Sequence, residues 1–232
     1  MHKPRTVDGI LKKLKEKADI GGYLYRGEPE HYMDHPFYGK VSSNLFRVFL
    51  CDKRIDVDEE RFNIEEVQNA VLNISKQFSR KSMSDLEYLS EIQHYGGKTN
   101  LIDFTKDYHI ALFMACDGIP DENGRIILQA RTLVEPYIEE AYDPINRVIA
   151  QKSIFVRHPD GFILPKDDDI IDIQSDLKLP MLRHLQNSHD ISVETIYNDI
   201  HGFIRDQNNH SKFYNSIYEG LIQKQKGDTG NG

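Results

Sequence analysis

Residues 109–116, HIALFMAC, constrain this chain more than any other stretch. The run is apolar on nearly every side, so a helix built from it has no face to offer water and belongs at the centre of a core. Thr105 and Asp107 open it, and Asp107 is the natural N-cap. Upstream come Gln93, His94, Tyr95, Gly96 and Gly97, then TNLIDF over residues 99–104, a short strand. Polar residues placed directly before a buried helix sit at its mouth and not on a solvated loop. A ligand site is easily built there.

Bulk properties narrow the classes. The chain has 232 residues, enough for one large domain or two small ones with a real core. Its net charge of −8 argues against a nucleic-acid binder that works through a bulk positive field. Two cysteines, Cys51 and Cys116, make neither a disulfide framework nor a metal knuckle, and Cys116 reads as a small buried hydrophobe. No stretch has the length of a membrane span or a signal-peptide core, so a reduced, cytoplasmic, membrane-free protein is expected.

In chain order, Ile10, Leu11, Leu14 and Ala18 lie at helical spacing after Thr6 or Asp8, and Gly21 and Gly22 stop that helix. YLYRGE, residues 23–28, alternates as a strand, with Tyr23, Tyr25 and Gly27 on one face and Leu24, Arg26 and Glu28 on the other. Residues 30–40 and 51–61 read as loops. Ser42, Ser43 and Arg47 form a second polar group, also readable as a helix start. Ile64, Val67, Val71, Ile74 and Phe78 predict one helix, and Ser84 with Leu86, Leu89 and Ile92 a second that delivers Gln93 and His94 at its end. GRIILQAR (124–131) is a buried strand, residues 146–159 a strand or strand pair, and GFIL and DDDIIDIQ further short strands. Helices return from Leu179, with a weak capping pair at Ser192 and Thr195, and a last helix covers residues 211–225 before a disordered tail. Helices precede strands instead of alternating with them, which predicts an α+β fold with an antiparallel or mixed sheet core and flanking helices.

Several residues carry chemistry, each beside a plainer reading. Arg26 presents a planar fork suited to phosphate or carboxylate, or makes a structural salt bridge. Gly27 lets backbone or ligand approach. His94 titrates near neutrality and suits acid–base work, or is a core-edge histidine. Gln93 is an orienting residue. Asp103 is freer than Asp107 for a site role. Gly96 and Gly97 meet a backbone need. His31 and His35 lack a third ligand, and no metal site is expected.

Five segments in order resemble the FRG domain family: Tyr25-Arg26-Gly27; Ser42 to Arg47; Gln93-His94-Tyr95-Gly96 with Thr99, Leu101, Asp103, Thr105, Ala111 and Ala115; Ala150-Gln151 with Phe155; and Thr195-Ile196-Tyr197 with Asp199. The resemblance implies a domain over residues 21–206, preceded by the helix of residues 1–20 and followed by a C-terminal helix and tail over 207–232. A second resemblance is to the Arg-Ser-Glu class of ADP-ribosyltransferases. It implies ADP-ribosyltransferase-like split sheets, with NAD as substrate. Arg26 is similar to that class's NAD-binding arginine. Asp103-Phe104-Thr105, with Ala111 and Ala115 after it, is similar to the Ser-Thr-Ser element and its helix. Gln151 falls near the third catalytic position, where this chain departs from the class by having no Glu; Asp103 would have to serve. The site implied is Arg26, His94, Asp103, Thr105 and Gln151 for chemistry, with Tyr25, Gly27, Arg47, Gln93, Tyr95, Gly96 and Thr99 for binding. The expected partners are a nucleotide and a protein acceptor. The alternative is a non-catalytic nucleotide- or protein-binding module, and either suits a toxin or phage-defence setting.

Overall fold

The computed structural model describes residues 4–32, 39–51, 62–78, 83–140 and 146–199. The helix expected over 211–225 and the tail lie outside the described residues, as does most of the loop expected over 51–61.

The chain opens with α1 (Val7–Ile20), capped by the Thr6 side chain accepting from the Gly9 N–H and ended at Gly21 with φ of 78°. The strand β1 (Tyr23–Glu28) follows, then β2 (Val41–Ser42), α2 (Asn44–Cys51), α3 (Ile64–Ser75) and α4 (Asp85–His94). Next come β3 (Ile102–Thr105), the central helix α5 (Tyr108–Cys116) and β4 (Gly124–Ala130). The remainder runs α6 (Arg131–Val134), β5 (Ile138–Glu139), α7 (Asn146–Ala150), β6 (Ser153–Val156), β7 (Phe162–Ile163), β8 (Ile170–Ile173), α8 (Ser175–His189) and α9 (Val193–Ile196). The fold is α+β. One sheet has the order β5-β6-β3-β1-β4-β8, every registered pair in it is antiparallel, and β2 and β7 form a separate pair.

The main sheet is two three-stranded halves joined at a narrow seam. β1 and β4 share six registered pairs, from Tyr23 opposite Ala130 to Glu28 opposite Arg125. β3 and β6 share four. β1 and β3 share one, Tyr25 opposite Thr105. Each half carries its own helices. Tyr25, Ile126, Leu128, Ile171 and Ile173 pack on α1, α5 and α8 through Ile10, Leu14, Phe113, Met181 and Leu185. On the other half, Leu101 and Phe155 pack with Leu72 of α3, Leu89 of α4 and Val148 of α7. Leu24, Ile102, Phe104, Ile127, Ile154 and Val156 form the core of the opposite sheet face. The helices pack on each half separately, while the core of the opposite face, with Leu24 and Ile127 of one half against Ile102, Phe104 and Ile154 of the other, continues across the seam.

As the sequence requires, α5 is the buried helix. Ile110, Ala111, Leu112, Phe113, Ala115 and Cys116 are all buried, and burial pushes the Cys116 thiol up to about 12. A buried lysine ties the first turn of α8 to this layer. Lys178 donates from Nζ to the Pro29 carbonyl at 2.6 Å and to the Ile119 carbonyl at 2.5 Å, and burial lowers its pKa.

Three expectations are corrected. Residues 146–150 are helix, not strand: only five residues support the alternation, and Val148 is buried among α3, α4 and β6 side chains. The strand begins at Ser153, after a turn in which Lys152 has φ of 47°. Helix α8 begins at Ser175, not at Leu179, and carries Pro180 within it. Leu177, Met181 and Leu185 recur every four residues, so one packed stripe runs through the proline. Along α3 the buried positions are Ile64, Gln68 and Leu72, while Ile74 and Phe78 are exposed. The inward stripe is rotated from the most apolar one because Gln68 is held inside, its Oε1 accepting from the Asn100 N–H.

Candidate functional site

The seam opens into a cleft of about 370 Å³, within the range of small-molecule sites. Its floor follows from the register. Tyr25 opposes Thr105, Thr105 opposes Ser153 and Asp103 opposes Phe155, so these side chains and Gly27 share one sheet face. One wall is α5, presenting Ile110, Ala111 and Met114. The other is the end of α4, with Ser90, Gln93 and His94. Gln151 and Tyr197 close the cleft from the later part of the chain.

Each side chain has a local reason for its place. Gly27 lies where β1 crosses α5 most closely: a Cβ there would stand 1.9 Å from the Ala111 carbonyl oxygen. The glycine therefore serves backbone packing. Arg26, on the other face of β1, reaches across the seam. Its Nη1 donates to the Asp103 carbonyl at 2.9 Å and its Nε to Glu28 Oε1 at 3.0 Å. Burial opposes the Arg26 charge, but Glu28 and Asp103 outweigh it and hold the guanidinium above its usual pKa. Glu28 is bound in turn by Arg125, Nε to Oε2 at 2.8 Å. Burial acts to raise the Glu28 pKa, and the two arginines override it to lower the value. Arg26 is thus both a structural pin and a cleft residue, so the two sequence readings of it are not exclusive.

Asp103 projects to the α4 side and accepts from Gln93 Nε2 at 2.6 Å. Burial raises its pKa against the opposing charges of Arg26 and Arg47 and the Gln93 bond. His94 lies 3.3 Å through Nε2 from Asp199 Oδ2. Gln151 donates weakly from Nε2 to the Ile196 carbonyl at 3.4 Å. Thr105 Oγ1 accepts from the Asp107 N–H at 3.1 Å.

Asp107 caps α5, accepting from the His109 N–H at 2.9 Å, and pairs with Lys152 at 2.7 Å. Its bonds to His109 and then to Lys152 hold its pKa far below the usual carboxylate value. A depressed folded-state pKa contributes stability that is complete above the unfolded value near 3.9 and is lost as pH falls below it. Asp107→Ala should therefore cost about 1–2 kcal/mol at pH 7, the usual worth of such a cap, and progressively less in acid. Urea unfolding at pH 7 and in acid measures both; a pH-independent difference would contradict the assignment.

Of the residues proposed from sequence, Tyr25, Arg26, Gly27, Gln93, His94, Asp103, Thr105 and Gln151 meet along this one cleft. Four do not line it. Tyr95 is exposed. Gly96, with φ of 86°, ends α4 on the surface. Thr99 is fully buried behind Gln93. Arg47 bonds Ser42 Oγ at 3.1 Å, with its guanidinium 5.6 Å from the Tyr32 ring centre. Ser90, Asp117 and Tyr197 also line the cleft and Glu28 anchors Arg26 beside it, and sequence reasoning does not single them out as site residues. Tyr197 donates to Asp117 Oδ2 at 2.9 Å, a contact across 80 positions of sequence. Its place in the closing Thr195-Ile196-Tyr197 segment was the one available signal.

Among the described residues no cluster of three or more His, Cys, Asp or Glu is arranged to hold a metal ion, and no helix is long and apolar enough to cross a membrane.

The FRG domain family model matches residues 21–124. The chain carries an FRG domain. The matched segment runs from the turn before β1 to the first residue of β4, so it spans Arg26, both cleft walls, Asp103 and Thr105. In the FRG domain of this chain the aromatic-Arg-Gly signature has a physical account. Tyr25 packs edge-on against Tyr108 with ring centres 5.9 Å apart, Arg26 bridges the seam, and Gly27 admits α5. No curated protein and no solved structure matches the chain.

Proposed function

We propose that the FRG domain of this chain binds NAD in the seam cleft and transfers or hydrolyses its ADP-ribose. The observation that carries the reading is the pairing across the seam: the Arg26 guanidinium on one side, and the buried Asp103 carboxyl, held by Gln93, on the other. With Nε and Nη1 bonded to Glu28 and the Asp103 carbonyl, the Arg26 guanidinium meets a pyrophosphate through its charge and its remaining N–H groups. Cleaving the nicotinamide–ribose bond builds positive charge on the ribose, as in glycoside hydrolysis, and a nearby carboxylate stabilises that charge. The C1′–N bond breaks, nicotinamide leaves neutral, and a C1′–O bond forms to water or to a protein hydroxyl. The proton released from that oxygen goes to His94, which Asp199 orients. Thr105 positions the ribose. Because Gln151 and Tyr197 line the cleft, we take the functional unit to extend past the end of the family match at residue 124.

The experiment is direct. Purified protein is incubated with NAD, with and without cell extract, and free nicotinamide is followed by chromatography. Asp103→Asn is expected to lower release by about two to three orders of magnitude, the usual loss of one electrostatic stabiliser in a buried site. Arg26→Ala should weaken NAD binding, with circular dichroism confirming that it folds. Wild-type protein that neither binds NAD nor releases nicotinamide would remove the proposal.

One observation favours a second reading, a nucleotide- or protein-binding module without turnover. The late position holds Gln151, a neutral amide bonded to a backbone carbonyl, and not a carboxylate. Measurable NAD binding with no nicotinamide release would select that reading.

A further inference from the structure

Thr99 is fully buried and does not line the cleft, yet its hydroxyl is the start of a one-way chain of hydrogen bonds that ends there. The Leu101 N–H donates to Thr99 Oγ1 at 3.4 Å, a long bond that still takes up an acceptor position of the hydroxyl. Thr99 in turn donates to Gln93 Oε1. With its carbonyl oxygen so occupied, the Gln93 amide turns its NH2 outward, and Nε2 donates to Asp103 Oδ2 at 2.6 Å.

The direction of this chain matters. A glutamine amide looks the same in shape either way round, so its polarity is set by its partners. Turned one way, it offers N–H to a carboxylate and favours the charged form. Turned the other way, it offers a carbonyl oxygen, repels the carboxylate and favours the protonated form. A donor behind the amide favours the first arrangement, the one an ionised carboxylate also favours. Thr99 is that donor, out of reach of solvent, and water does not substitute for it.

We propose that Thr99 and Gln93 are positioning residues that act through one chain to favour the ionised form of the Asp103 carboxyl and aim it into the cleft. The role of Thr99 is thereby moved from ligand contact to the polarity of the amide in front of it. The inference deepens the reading of Asp103 as the carboxylate facing the reacting ribose, but the chain exists whatever the cleft binds. The charges acting on Asp103 are Arg26 from β1 and Arg47 from α2, and the other titratable groups along the cleft are Tyr25, His94, Asp117 and Tyr197. The Thr99 hydroxyl itself bonds the Leu101 N–H and Gln93.

The test reads Asp103 itself. The carboxyl of Asp103 is followed by NMR in protein carrying carbon-13 aspartate, without NAD, and assigned with Asp103→Asn. Thr99→Val keeps the side-chain volume and removes the donor. It should raise the Asp103 titration midpoint by about one unit, a tenfold change in ionisation, and Thr99→Ser should restore it. Gln93→Met, at the accessible end of α4, should produce a similar rise. Adding Thr99→Val to Gln93→Met should then produce no further shift, because both act on one chain. An unchanged midpoint in Thr99→Val or Gln93→Met, or additive shifts in the double variant, would overturn the inference. Where wild-type protein releases nicotinamide, the acid limb of its pH profile moves with the midpoint. A protein that shows the shifts but releases none keeps the inference and loses the transferase reading.

Discussion

Gly27→Ala is expected to destabilise the protein by more than about 3 kcal/mol, above the usual cost of overpacking because the neighbours are backbone and do not yield. The added Cβ would stand 1.9 Å from the Ala111 carbonyl oxygen and 2.6 Å from the Ala115 nitrogen. Both atoms belong to the central buried helix α5, which packs on β1 and β4 on one side and α8 on the other. Relief requires lifting α5 off the sheet, and that separates Tyr25 from Tyr108 and opens the first core layer. Gly124→Ala should behave alike, since its Cβ would meet the Ala115 carbonyl at 2.3 Å. Urea denaturation of each variant against wild type is the measurement. A Gly27→Ala protein with an unchanged midpoint would mean that β1 and α5 are not this close.

Glu28→Gln is expected to cost about 3–5 kcal/mol, the range found when one partner of a buried ion pair is removed. Glu28 is 2% exposed and holds two arginines at once, Arg26 at 3.0 Å and Arg125 at 2.7 Å. A glutamine keeps one acceptor but points an NH2 at a guanidinium, leaving one cation buried and unmatched. The pH dependence has a definite sign. The folded-state pKa of Glu28 lies below its usual value, so its contribution is complete above the unfolded value near 4.3 and fades as pH falls below that. The gap between wild type and Glu28→Gln should therefore be widest at neutral pH and narrow in acid. A constant gap down to pH 3 would show that the loss is one of packing and not of charge. Because Arg26 loses its partner, Glu28→Gln should also disturb the bond across the seam to Asp103.

These two residues follow Arg26 directly, and they show how unevenly the site was legible. Gly27 and Arg26 were visible because a glycine and an arginine are unusual in an aromatic strand. Glu28 looked like an ordinary charged strand end: its role appears only when Arg125, 97 positions later, is brought beside it. Thr99 was placed among ligand-binding residues for its company in the motif, but the buried chain to Gln93 shows that it acts from behind. The reverse holds for Tyr197, whose contact with Asp117 has no local trace.

Fold class was legible because it depends on periodicity, a local property. The helical stripe of α1, the alternation of β1 and β4 and the all-round apolarity of α5 each follow from residues within one element. Errors fell where local signals were short or shared: five residues of α7, a proline inside α8, and a glutamine on the inward stripe of α3. By itself the sequence determined that α5 is central, that β1 carries a lone guanidinium beside a glycine, and that polar residues gather before the central helix. Only the tertiary structure decided that the sheet divides at the β1–β3 seam, that Arg26 bridges it, and that α4 and α5 wall a cleft over it. The physical reason is that burial and periodicity act between neighbours in the chain. Strand order, charge pairing and the direction of a hydrogen-bond chain depend on groups that become neighbours only after folding.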